Sequence, residues 1–189
     1  MSKEEEIPKL ISLAIDYRKC NGCRICEIAC SVKHFGEHNP ELSRIRVWPF
    51  WGLIEVPATC WGCKYDTDPP CVLACPTTPK AITWDDTLGV PHVNEEECIG
   101  CVLCTDACKA KAIHLNPRTN KALICDRCGG DPECVKQCPA EAIQAFPTTI
   151  MHAKWYANNS PEDVAEDMKK FMFYPWKGLE DWKENEGEE

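Results

Sequence analysis

The sequence has no surplus of positive charge. Lys and Arg together number 21 against 30 Asp and Glu, a formal net charge of −9. A nucleic-acid binder needs a basic face, so that class is excluded. No apolar run approaches the roughly 20 residues that cross a bilayer. The opening Met1-Ser2-Lys3-Glu4-Glu5-Glu6 lacks the basic start and apolar stretch of a secretory signal, and no twin-arginine pair stands near it. The expectation is a soluble, cytoplasmic protein with reduced thiols, although a soluble chain can be exported bound to a partner that carries a signal. There is no Gly-rich dinucleotide fingerprint and no second catalytic set, which predicts no catalytic residues and no enzyme activity of the chain by itself.

What is abundant is cysteine, 16 in 189 residues. They fall into four groups: Cys20, Cys23, Cys26 and Cys30; Cys60, Cys63, Cys71 and Cys75; Cys98, Cys101, Cys104 and Cys108; Cys125, Cys128, Cys134 and Cys138. Groups one and three read C-x2-C-x2-C-x3-C, while groups two and four widen the second gap to x7 and x5. A cubane needs four thiolates arranged roughly tetrahedrally, and three Cys two residues apart let a tight loop wrap one cluster. This spacing predicts four [4Fe-4S] clusters. The fourth Cys is expected to start a short helix and point away from its own loop. Pro76 and Pro139 follow two of these Cys and suit a first helical turn, while Ser31 and Lys109 stand there in the other two groups. The inserted loops, Lys64 to Pro70 and Gly129 to Glu133, are rich in turn residues that bring the third Cys back. Structural zinc is the alternative reading, but zinc sites pair C-x2-C knuckles across a longer stretch. A disulfide framework would require export.

Short extended runs around polar turns read as hairpins. They are Arg44 to Phe50 with Leu53 to Pro57, Ala81 to Trp84 with Val90 to Val93, and Ala112 to Leu115 with Lys121 to Ile124. The fold class expected is α+β, built as ferredoxin-like dicluster modules, with cluster ligation supplying much of the stability because such elements bury little. The five His (34, 38, 92, 114 and 152) are scattered. They read as ordinary loop or strand residues, with His92 and His114 the candidates to donate to a cluster sulfur. Trp48, Trp51, Trp61 and Trp84 suit walls over clusters or between modules, or ordinary core. Arg24, Lys109 and Arg127 oppose the crowded negative charge.

Three segments are expected: 1–12 as an N-terminal segment, 13–146 as two interleaved cluster modules, and 147–189 as an arm without Cys. In that arm Ser160 suits an N-cap and Pro161 suits N1 of a helix running to Phe173. Val164, Met168, Phe171 and Met172 share one helical face. Phe173, Tyr174, Trp176 and Trp182 follow, and the arm either clasps a partner subunit or folds back on its own modules.

With these groups in this order, the chain resembles the iron–sulfur subunits of molybdenum and tungsten oxidoreductases, in the broad dimethyl sulfoxide reductase and formate dehydrogenase sense. The resemblance covers about residues 13 to 147. It implies that groups one and four share one module and groups two and three the other. Carried onto this sequence, cluster A takes Cys20, Cys23, Cys26 and Cys138. Cluster D takes Cys125, Cys128, Cys134 and Cys30. Cluster B takes Cys60, Cys63, Cys71 and Cys108, and cluster C takes Cys98, Cys101, Cys104 and Cys75. His38 to Val47 and Cys125 to Cys134, with its short x5 gap, look like the small subunits that accompany tungsten enzymes of the aldehyde:ferredoxin oxidoreductase family, class II benzoyl-CoA reductase among them. The resemblance implies an anaerobic, low-potential electron-transfer subunit. It would relay single electrons between a larger catalytic subunit with a tungsten or molybdenum pterin and an external carrier such as ferredoxin. A free-standing polyferredoxin is the other reading; the aromatic arm and the first hairpin favour the subunit.

Overall fold

The computed structural model describes residues 11–64, 67–147 and 160–169. In chain order the first half holds β1 (Ile11–Ile15), α1 (Ile25–Phe35), β2 (Arg46–Phe50), β3 (Ile54–Ala58), α2 (Pro70–Ala74), β4 (Ile82–Asp85) and β5 (Val90–Val93). Then come α3 (Leu103–Ala107), β6 (His114–Leu115), β7 (Ala122–Leu123), α4 (Glu133–Lys136) and β8 (Ile143–Pro147), followed by a helix over 161–169, here α5. The class is α+β, as expected. All strands pair two by two and antiparallel: β1 with β8, β2 with β3, β4 with β5, and β6 with β7.

The three hairpins lie where the runs of branched residues place them, though the last is trimmed to two residues a side. The β1–β8 pair is the element that was not anticipated. Ile15 faces Ile143 and Ile11 faces Pro147. A five-residue strand carries no local signal of a partner more than a hundred residues away, so only the closed fold reveals it.

The helices correct one expectation. Each begins before its third Cys and not at its fourth. Cys71 lies inside α2 and Cys104 inside α3, while Cys75 and Cys108 terminate these helices as C-caps. Pro76 and Pro139 therefore follow helix ends, where a residue without an N–H stops the helix, and do not open a first turn. Helix α1 runs longer and carries both Cys26 and Cys30 on its buried face, one turn apart. It ends at Gly36, whose left-handed backbone (φ 71°) lets its N–H reach Val32 O.

Helix α1 packs on α4, and α2 packs on α3. Each pair brings a helix from one Cys group against a helix from another. The core follows the same division. Leu13, Ile15, Ile45, Val47, Trp61 and Ile143 gather around Cys26, Cys30, Cys125 and Cys134. Val72, Ile82, Ile113 and Ile124 gather around Cys71, Cys98 and Cys104. Fully buried Glu27 joins α1 to β2 by accepting the Val47 N–H at 2.8 Å.

Part of the arm folds back. Val164 and Ala165 of α5 pack on Ile54 and Val56 of β3, with Trp48, Phe50 and Met168 at the edge. Ser160 caps this helix, its hydroxyl accepting the Asp163 N–H at 3.1 Å. Phe171, Met172 and the aromatic residues after them lie outside the described residues, as does the segment 1–10. Among the described residues, no helix is long and apolar enough to cross a membrane.

Candidate metal centres

Each cluster loop turns on a left-handed residue between its first and second Cys. This residue is Gly22, Gly62 and Gly100 in the first three groups, at φ 70°, 70° and 69°. Gly62 could not be otherwise: a Cβ there would lie 2.5 Å from Gly89 O. After the second Cys the chain is left-handed again, at Arg24 (φ 58°), Val102 (φ 63°) and Gly129 (φ 67°). For a β-branched Val this conformation is a true outlier. Three loops of unrelated wording thus share one backbone path.

The structure brings cysteines together across groups. One cavity of about 270 Å³ is lined by Cys60, Cys63, Cys71 and Cys108. A second is lined by Cys75, Cys98, Cys101 and Cys104. A third is lined by Cys20, Cys23, Cys26 and Cys138. The remaining four, Cys30, Cys125, Cys128 and Cys134, neighbour one another: the Cys134 thiol is pushed up by burial and then by Cys125, Cys30 and Cys128 beside it. In each quartet, three cysteines come from one group and the fourth from another.

Burial makes these thiols poor acids without a cation. It drives Cys26 and Cys71 up to about 12, with Glu27 and Cys20 adding to the first and Cys108 and Cys63 to the second. Cys30, Cys63 and Cys104 rise to about 11, again chiefly by burial. Opposing this, backbone N–H groups point at the fourth Cys of each group. Arg44 N–H donates to Cys30 Sγ at 3.2 Å and Ala142 N–H to Cys138 Sγ at 3.3 Å. Ala110, Ala112 and Ile113 do the same for Cys108. At Cys75 burial pulls the thiol up, but the Thr77 hydroxyl and the N–H groups of Thr77, Ile82 and Ala81 outweigh it and hold it below its ordinary value. Donors aimed at sulfur favour thiolate, the form that binds iron.

Two cationic side chains near the group-four loop carry buried Nε atoms with no partner among the described residues, Arg44 and Arg127. Together with cavities walled by four cysteines, these orphaned donors fit an anionic cluster: an iron–sulfur cubane supplies acceptors, whereas a lone zinc ion supplies none.

The site holds residues that spacing alone did not mark. His34 Nε2 lies 3.7 Å from Cys128 Sγ and 3.4 Å from Asp126 Oδ1. Its pKa is lowered, first by burial and then by Arg44. Both Cys128 and Asp126 face its Nε2. This is the one His–Cys contact among the described residues, and the signal that could have found it, position 34 one turn beyond Cys30 on α1, is only helical periodicity. His114, a candidate donor to a cluster sulfur, has a buried Nε2 with no partner among the described residues, and its ring lies 6.1 Å from that of Trp48. Trp61 is buried among the cysteines, whereas Trp51 is exposed.

A family model described as a 4Fe-4S binding domain matches residues 17–33, 95–111 and 122–145. The polyferredoxin-like subunit of an aliphatic sulfonate oxidoreductase from Pyrococcus furiosus is 45% identical over 134 residues, covering 71% of this chain and 75% of that protein. The chain belongs to this polyferredoxin-like 4Fe-4S family. Its sixteen cysteines fit four clusters, and it is an electron-transfer subunit, not the catalytic one. Two less similar relatives are subunits of dehydrogenases. The formate dehydrogenase-O iron–sulfur subunit of Escherichia coli is 32% identical over 164 residues, and subunit beta of an NADH-dependent phenylglyoxylate dehydrogenase from Aromatoleum evansii is 34% identical over 141. The chain spans about half the length of the former (53%) and 31% of the latter. Among solved structures, the active site complex BamBC of benzoyl coenzyme A reductase with 1,5-dienoyl-CoA contains a chain 23% identical with a TM-score of 0.44, covering 86% of this chain and 90% of that one.

Proposed function

We propose that the four quartets are the ligand sets of the four clusters: Cys20, Cys23, Cys26 and Cys138 for A; Cys125, Cys128, Cys134 and Cys30 for D; Cys60, Cys63, Cys71 and Cys108 for B; Cys98, Cys101, Cys104 and Cys75 for C. The observation that carries this is the lining of three separate cavities by four cysteines each, drawn every time from two groups. When bound, the clusters supply one-electron redox chemistry. The chain supplies spacing, dry walls and N–H donors. Sites A and D share the α1–α4 pair, and sites B and C share the α2–α3 pair. Cys125 lies close enough to Cys60 to disfavour the charged form of the Cys60 thiol, which supports the order A, D, B, C from end to end. On this reading the modules occupy 13–146, and 147–189 is an arm for a partner subunit, of which α5 rests on the chain's own hairpin.

The partner we infer is a larger catalytic subunit with a tungsten or molybdenum pterin, of the aldehyde:ferredoxin oxidoreductase type. The wording of His38 to Val47 and of Cys125 to Cys134 supports this. A low-potential carrier such as ferredoxin would serve the other end. An anaerobic, cytoplasmic complex is the setting we infer; sixteen cysteines free of disulfides support it. The test is metal and sulfide analysis of the natively purified complex, isolated without oxygen through a tag on this chain. About sixteen iron atoms per chain, with stoichiometric tungsten or molybdenum and a larger chain, is the expected result. Iron without either metal or partner would make the protein a free polyferredoxin, and zinc in place of iron would end the electron-transfer reading.

A further inference from the structure

Group four departs from the other three in the residue before its second Cys. Where they have Gly22, Gly62 and Gly100, it has Arg127, which keeps the left-handed backbone (φ 53°) that an L side chain resists. Arg127 is only 3% exposed. Its Nη1 donates to two carbonyls from separate strand pairs, Ile11 O in β1 and Leu88 O, at 2.9 Å, in the β4–β5 turn. Its Nη2 lies so close to Gly62 that a Cβ there would come within 2.9 Å. The guanidinium thus sits between two cluster loops. Burial works against its charge, while Cys60 and Cys125 support it. Its Nε is buried and has no partner among the described residues.

A buried cation is expensive unless an anion answers it, and arginine stays charged in proteins. The groups that answer here are the sulfurs of Cys60 and Cys125, one from each module, which carry negative charge once they ligate a cluster. We propose that Arg127 is a positioning residue shared by sites B and D, joining the two modules and favouring the reduced state of both clusters beside it. This rests on the ligand sets given above. A strained Arg in place of Gly is intelligible on these terms, because Gly in that position would leave the junction with two anionic sites and no cation between them. Reduction adds a negative charge to each site, so a neighbouring positive charge raises its midpoint potential. Sites A and C, each on the far side of its module, feel it less.

The experiment is an anaerobic redox titration of the native complex, followed by EPR, for wild type and for R127M, R127Q and R127K. In R127M two of the four midpoint potentials move negative and two stay in place, with iron content unchanged. R127K, which keeps the charge, lies nearer wild type. R127Q keeps an N–H donor but no charge; it carries the same test should R127M fail to assemble its clusters. Four unmoved potentials in R127M or R127Q would overturn the proposal, as would equal shifts in R127K and the neutral variants, since both results describe a purely structural clasp. Failure of the ligand reading itself would already be visible in wild type, as an iron content or spectrum short of four clusters.

Discussion

Arg44 and Asp126 are 82 residues apart in sequence, yet the guanidinium Nη1 of the first lies 2.6 Å from Oδ2 of the second. Both hold site D. Arg44 gives its backbone N–H to Cys30 Sγ, and Asp126 Oδ1 accepts the Cys128 N–H at 2.9 Å. The pair therefore fixes the one ligand drawn from group one against the loop of group four. Replacing Asp126 by Ala leaves a half-buried guanidinium unpaired and frees the Cys128 turn. A loss of about 1–3 kcal/mol follows. Iron analysis of D126A should show the deficit of a single cluster, with the other three retained; a full iron complement with unchanged melting would contradict this role.

Exchange of the fourth ligand between groups can be checked by comparing three substitutions. Cys30 belongs to group one by sequence but stands with Cys125, Cys128 and Cys134 in space. The EPR spectrum of reduced C30S should resemble that of C125S and differ from that of C26S. If C30S instead matched C26S, each group would be binding its own cluster.

Gly100 carries group three through φ 69°, and a Cβ there would meet the Asn120 backbone. The substitution G100A forces both a left-handed Ala and a displaced β6–β7 turn. A destabilisation of at least about 1–2 kcal/mol is expected, read as a lower anaerobic melting temperature and early loss of one cluster's iron. The same change at Gly36, where a Cβ would meet nothing within 4 Å, carries the backbone strain alone and should cost less.

His114 sets a pH dependence. Burial, with Arg46 nearby, lowers its pKa from 6.5 to about 4. The unfolded chain takes up this proton first, so the folded state keeps its full advantage above pH 6.5 and loses it as pH falls toward about 4. The contribution is at most about 3 kcal/mol. Melting curves of wild type and H114Q, taken from pH 7.5 to pH 5, should converge as the pH is lowered. Parallel curves would show that His114 is not the group responsible.

Cluster chemistry was legible because it is local. Two residues between cysteines set the reach of a loop, so Cys20 to Cys26 or Cys98 to Cys104 announce a cubane without reference to the rest of the chain. The α+β class and the three hairpins follow from runs of branched residues bounded by turns, which are equally local. The helix starts were misplaced because the pattern names the ligands but does not say which of them the helix carries. Other features depend on residues far apart in the chain. Periodicity puts His34 and Val164 on helical faces, but the partner of Ile11–Ile15 (Ile143–Pro147), of His34 (Cys128) and of Val164 (β3) cannot be read from any short window. Arg127 shows the division within one side chain. Its departure from the glycine pattern is written in the sequence. Its two carbonyl partners, Ile11 and Leu88, and its place between Cys60 and Cys125 arise only when the modules close on each other, because a buried charge finds its counter-charges in three dimensions and not along the chain.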